Sequence, residues 1–208
     1  MTNKYAIAID ERRCIGCWSC AVACKLENNI PDQIWSARVE TIGGDSPNTP
    51  AGTYGDCTMS YRPVRCMHCD NAPCVEVCPV GATYKDEKTG LVMQDVETCI
   101  GCQACVAACP YEARSYLEEE PAYRVDFPVG AANAPSHRAG TVEKCTMCVH
   151  RDLAGGAVPA CVEGCPARAM HFGDLNDPDS EISALLAERA YEVIDAEAGT
   201  GPNVYYLQ

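Results

Sequence analysis

The stretch Cys99–Pro110, CIGCQACVAACP, constrains this chain more than any other. Cysteine recurs at every third position, a fourth cysteine follows three small apolar residues, and proline comes next. That is the bacterial spacing for cysteine-held iron–sulfur clusters. Cys99, Cys102 and Cys105 can close on one sulfide-bridged core only if the residues between them loop around it. In two-cluster ferredoxins the fourth cysteine of such a run, here Cys109, ligates the neighbouring cluster. One motif therefore implies another.

Three further groups are present. Cys14, Cys17, Cys20 and Cys24 repeat the spacing, with Lys25 in the place of the proline. Cys66, Cys69, Cys74 and Cys78 carry a longer gap between the second and third cysteines, and Cys145, Cys148, Cys161 and Cys165 a longer one still. Pro79, Pro110 and Pro166 each follow a fourth cysteine, where a fixed φ and a missing N–H would end a short helix and turn the chain away. Of the 17 cysteines only Cys57 falls outside the groups, so it reads as a free thiol or a small packed side chain.

Four groups of four point to four 4Fe–4S clusters, with these sixteen cysteines as iron ligands and no catalytic residue among them. Zinc is the competing metal, and the fourth group alone looks zinc-like; the first and third do not, because zinc favours two separated CxxC arms. A disulfide framework is disfavoured by the odd cysteine count and the tight CxxC grouping. The gap between Cys78 and Cys99 is shorter than those from Cys24 to Cys66 and from Cys109 to Cys145. Groups two and three are therefore expected to pair, with one and four pairing around them. With the fourth ligands exchanged, the expected sets are Cys66, Cys69, Cys74 with Cys109; Cys99, Cys102, Cys105 with Cys78; Cys14, Cys17, Cys20 with Cys165; and Cys145, Cys148, Cys161 with Cys24.

Aromatic residues are only 7% of the 208-residue chain, so something other than large side chains must fill its interior. The net charge of −13 would reach about −21 with four dianionic clusters, which excludes nucleic acid as a partner. No apolar run approaches a membrane span, and the N-terminus offers no export signal, so work outside the cytoplasm would require travel with a partner. His68, His137, His150 and His171 are scattered, and no carboxylate pair, Ser–His set or phosphate loop appears. Lys25, Lys144 and Arg65 adjoin cysteines, where each reads either as a cation beside a cluster or as a snorkelling surface residue.

The expected fold class is α+β: two ferredoxin-like modules, the inner inserted in the outer. Residues 1–40 and 142–176 form the outer module, 60–117 the inner one, 41–59 and 118–141 insert loops, and 177–208 a C-terminal helix and strand. Strands are expected over 4–10, 91–95, 113–117 and 169–173. A helix is expected over 19–28, with Lys25 and Glu27 facing out, and another from an Asp177–Pro178 start to about Ala190 with Ile182, Leu185 and Leu186 as its packing stripe. The ending PNVYYLQ reads as an edge strand.

On CIGCWSCAVACK, CMHCDNAPCVEVCPVGA, CIGCQACVAACPYEAR, KCTMCVHR, CVEGCPARA and FGDLNDPDSEIS, the chain resembles the four-cluster iron–sulfur subunit of the dimethyl sulfoxide reductase family of molybdopterin oxidoreductases. The resemblance implies an electron-transfer subunit without an active site, working beside a large catalytic subunit that carries a molybdenum or tungsten bis-pterin cofactor. It also implies, in many members, a membrane anchor and co-export to the extracytoplasmic face, with cytoplasmic members known. The outer unit would then face the catalytic subunit. A free polyferredoxin serving a hydrogenase or dehydrogenase, and a zinc-stabilised scaffold, are the alternatives.

Overall fold

The computed structural model describes residues 2–46 and 48–208. It is a small α+β structure of short strands and few helices. The first strand, β1 (Tyr5–Asp10), is buried along its whole length. Then come α1 (Ser19–Glu27), β2 (Ala37–Ile42), β3 (Ala51–Thr53), β4 (Asp56–Thr58), β5 (Ser60–Arg65), α2 (Pro73–Glu76), β6 (Thr83–Lys85), β7 (Val92–Gln94) and α3 (Ala104–Ala107). The chain continues with β8 (Arg114–Leu117), β9 (Thr141–Lys144), α4 (Ala160–Glu163), β10 (Met170–Asp174), α5 (Glu181–Glu188), β11 (Tyr191–Glu192) and β12 (Val204–Leu207).

The largest sheet has the order β10-β1-β12-β11, with β1 antiparallel to β10 and parallel to β12. Alternation along YAIAID explains why β1 can be buried on both faces. Tyr5, Ile7 and Ile9 enter the main core, which is rich in cysteine, while Ala6 and Ala8 meet Ile182 and Leu207 beneath α5. Small residues on that second face let the helix come close. A Cβ on Gly173 would stand 2.8 Å from the Ile182 side chain. The remaining strands form two-stranded pairs, β2 with β5, β3 with β4, β6 with β7 and β8 with β9. Along the chain the four cysteine groups fall between β1 and β2, β5 and β6, β7 and β8, and β9 and β10, each with its helix. Of these helices, α1 packs on α4 and α2 on α3.

Three local expectations change. The C-terminal helix starts at Glu181, capped by the Ser180 hydroxyl, which accepts from the Ser183 N–H; Asp177 instead accepts from the Asp179 N–H in the preceding turn. The chain end forms an internal strand, because the two-residue β11 covers its outer edge. The expected insert loop 41–59 carries strand structure among its described residues: β3 pairs with β4 inside the larger β2–β5 hairpin.

Candidate iron–sulfur cluster sites

The four cysteine groups share a backbone device. The residue two places after each first cysteine has positive φ: Gly16 at 67°, His68 at 46°, Gly101 at 67° and Met147 at 57°. This left-handed residue reverses the chain so that the next cysteine faces the same centre as the first, and it turns backbone N–H groups inward, the concavity that binds anionic groups. The Met147 N–H, for instance, donates to Cys145 Sγ at 3.3 Å. A second device follows three of the fourth cysteines: Gly81, Glu112 and Arg168 each take positive φ three places on. Beyond that turn the Thr83 N–H donates to Cys78 Sγ at 3.4 Å and the Ala169 N–H to Cys165 Sγ at 3.3 Å.

Several cysteines distant in sequence come together. Cys24 lines one enclosed cavity with Cys145, Cys148 and Cys161, and the Asn28 amide stands 3.7 Å from the sulfurs of both Cys24 and Cys148. Cys78 lines a second cavity with Cys99, Cys102 and Cys105. Cys69 lies within electrostatic reach of Cys66, Cys74 and Cys109, and Cys14 within reach of Cys165 and Cys17. Exposure differs along the series. Cys17 and Cys102 are exposed, Cys14, Cys165, Cys78, Cys99 and Cys109 half-buried, and the other nine grouped cysteines buried. Cys57 stands apart on β4, exposed, with its thiol 3.0 Å from the Thr53 carbonyl oxygen.

The donor set fits clusters. Burial pushes the Cys145 thiol up to about 12 and Cys69 to about 11, and raises Cys24 well above the ordinary thiol range. Thiolates at such depth need a positive counter-charge, which iron supplies as it displaces the thiol protons.

Buried cations stand among the same sulfurs. Arg65 Nη1 donates to Cys161 Sγ at 2.7 Å, and Arg114 Nη2 to Cys74 Sγ at 3.1 Å. Lys144 Nζ donates to the carbonyls of Val92 and Cys145. Arg65 and Lys144 are therefore buried rather than snorkelling at the surface. Lys25 is different: its ammonium donates to the carbonyls of Pro31 and Ile34 and lies 4.3 Å from the centre of the Trp35 ring.

Glu27 does not face out as expected. It is bidentate to Arg151 at 2.6 and 2.7 Å and takes His150 Nε2 at 3.0 Å, tying α1 to the fourth group. The Arg151 hydrogen bonds hold its carboxyl down at about 2, against burial. His137, one of the scattered histidines, is buried between the Asn28 carbonyl at 2.9 Å and Glu143 at 3.3 Å. His68 is fully buried, and burial, with Lys144 and Arg114 nearby, pushes its pKa well down. Arg114 and Asn28 carried no sequence signal. Neither adjoins a cysteine, and Arg114 meets Cys74 across 40 positions of chain.

The comparisons agree with this chemistry. A family model described as a 4Fe–4S dicluster domain matches residues 57–124 and 130–175, and a second model of the same description matches 13–82. The chain is 48% identical to a dimethyl sulfoxide reductase iron–sulfur subunit of Halobacterium salinarum, covering 100% of this chain and 79% of that protein. It is 38% identical to the arsenate respiratory reductase iron–sulfur subunit of a Shewanella species (99% and 96% covered) and 40% identical to a tetrathionate reductase subunit of Salmonella typhimurium (99% and 72%). The chain belongs to the iron–sulfur subunits of the dimethyl sulfoxide reductase family: it carries four 4Fe–4S clusters and transfers electrons as a non-catalytic subunit.

Proposed function

We propose that the chain is the electron conductor of a heteromeric reductase, its clusters held by four exchanged ligand sets. These are Cys14, Cys17, Cys20 with Cys165; Cys24 with Cys145, Cys148, Cys161; Cys66, Cys69, Cys74 with Cys109; and Cys78 with Cys99, Cys102, Cys105. The observation that carries this reading is the meeting of distant groups, Cys24 beside Cys145, Cys148 and Cys161 and Cys78 beside Cys99, Cys102 and Cys105. The two modules follow from it. Residues 1–40 and 142–176 form the outer module, supported by α1 on α4, and 60–117 the inner one, supported by α2 on α3. The insert segments are 41–59 and 118–141, and 177–208 adds the C-terminal helix and strand.

Each bound cluster supplies a one-electron redox couple. The chain's own residues set the series. The charge of Cys66 is the leading thiolate influence on Cys145, which supports a second set beside the third. Buried ligands hold the middle of the series away from water, and the exposed Cys17 and Cys102 mark its two ends.

Both ends present apolar surface. Ile15, Trp18, Val22 and Leu26 are exposed around the first, Ile100 and Val80 around the second, as expected where partners dock. The relatives' names, subunits of dimethyl sulfoxide, arsenate and tetrathionate reductases, support a partner catalytic subunit. The first end is the proposed docking place for it, with the molybdenum or tungsten bis-pterin that the family resemblance implies. A quinone-linked anchor, or another redox partner, belongs at the second. No helix among the described residues is long and apolar enough to cross a membrane. Co-export to the extracytoplasmic face with the catalytic subunit completes the proposed reading.

Replacing Cys109 with Ala tests the exchange. The electron paramagnetic resonance signal of the cluster held by Cys66, Cys69 and Cys74 should change. A change confined to the cluster of Cys99, Cys102 and Cys105 would refute it. Co-purification with a large molybdopterin subunit supports the conductor; a redox-active monomer without partners contradicts it.

A further inference from the structure

Three cations lie deep in this anionic protein: Arg65 at 1% exposure, Lys144 at 4% and Arg114 at 6%. Among the described residues none of them is ion-paired with a carboxylate. A buried cation without a partner is strongly destabilising, so its counter-charge must be something else. The sulfurs provide it. Arg65 Nη1 stands 2.7 Å from Cys161 Sγ, Arg114 Nη2 stands 3.1 Å from Cys74 Sγ, and Lys144 adjoins Cys145 and donates to its carbonyl. Burial opposes the charge of all three and lowers the Lys144 pKa; the negative groups that offset it include Cys20 and Cys145 for Arg65, Cys66, Cys145 and Cys74 for Lys144, and Cys66 and Cys105 for Arg114.

Sorted by ligand set, these neighbours form a pattern. Arg65 touches the second set through Cys161 and faces the first through Cys20. Lys144 faces the second through Cys145 and the third through Cys66 and Cys74. Arg114 touches the third through Cys74 and faces the fourth through Cys105. We propose that Arg65, Lys144 and Arg114 are gap cations, one between each consecutive pair of clusters, that raise the reduction potentials of both flanking clusters.

The inference rests on the ligand sets proposed above. Its physical basis is that a fixed positive charge in a low-dielectric interior favours the more negative, reduced form of an anionic centre on either side. It also offsets repulsion between two adjacent anionic cores. No proton or bond changes hands.

Potentiometric titration of the clusters by electron paramagnetic resonance in Arg65→Met, Lys144→Met and Arg114→Met, each in the assembled complex, tests the pattern. Each variant should lower two potentials by at least tenfold in the reduction equilibrium, ~59 mV per tenfold for one electron. Arg65→Met and Lys144→Met should share one shifted cluster, Lys144→Met and Arg114→Met another. Arg65→Lys and Arg114→Lys, which keep the charge, should stay near the wild-type potentials with full iron content. Unchanged potentials, equal shifts in all four clusters, or iron loss in both the Met and the Lys variants would overturn the proposal. The ligand sets fail separately: a Cys109→Ala change falling only on the cluster of Cys99, Cys102 and Cys105 would reject them, while two shifted potentials per cation would still stand.

Discussion

Whether a cluster loop can close is decided by single backbone angles. Gly101 has φ of 67°, where a side chain costs about 1–2 kcal/mol, and a Cβ there would collide with the Gly140 carbonyl oxygen. Gly101→Ala should therefore lower the thermal midpoint and reduce the iron retained by the cluster of Cys99, Cys102 and Cys105; unchanged iron and midpoint would contradict this account of the loop. His68 and Met147 adopt the same turn without glycine, so the repeat of conformation was hidden in a sequence that repeats only its cysteines. The ligands were legible because sulfur spacing is local. Arg114 was not, since its sulfur partner is brought to it only by the folding of the second and third cysteine groups against each other. Glu27 was misread as solvated because its partners, His150 and Arg151, lie in another group. Its carboxyl is depressed to about 2 from an ordinary 4.5, so its contribution is complete above about 4.5 and is lost as pH falls through about 2. Glu27→Gln should speed thermal bleaching of the clusters at pH 7, and the difference from wild type should shrink as pH drops below 4.5. A difference that stays constant down to pH 3 would contradict the assignment.

At the scale of elements, proline explains the helices. α2, α3 and α4 span four residues each, and their groups end in Cys-Pro; α1, with Lys25 in that place, runs to nine. That difference was readable from one residue. The fate of the last strand was not, because only the two-residue β11, too short to carry a periodicity, makes it internal. The helix stripe was legible, and Ile182 is its fully buried centre, packed on Ala6 and Ala8 away from the cysteines. Ile182→Ala should cost about 2–5 kcal/mol of stability while leaving iron content unchanged, as measured by unfolding and metal analysis. Iron loss in proportion to the stability lost would show that this small core is not separate from the cluster sites.

For the whole molecule, the clusters and their ligands take the place that large side chains hold in an ordinary core. Most of the main cluster of buried residues is sulfur, small aliphatic or β-branched, and the two tryptophans stand at the surface. A chain so built has no reason to hold its shape without iron. The central claim is the number and kind of those cores, and metal analysis of anaerobically purified protein tests it most directly. Four cubane sites require about 16 iron and about 16 acid-labile sulfide per chain. Half that content, or zinc without sulfide, would contradict the account.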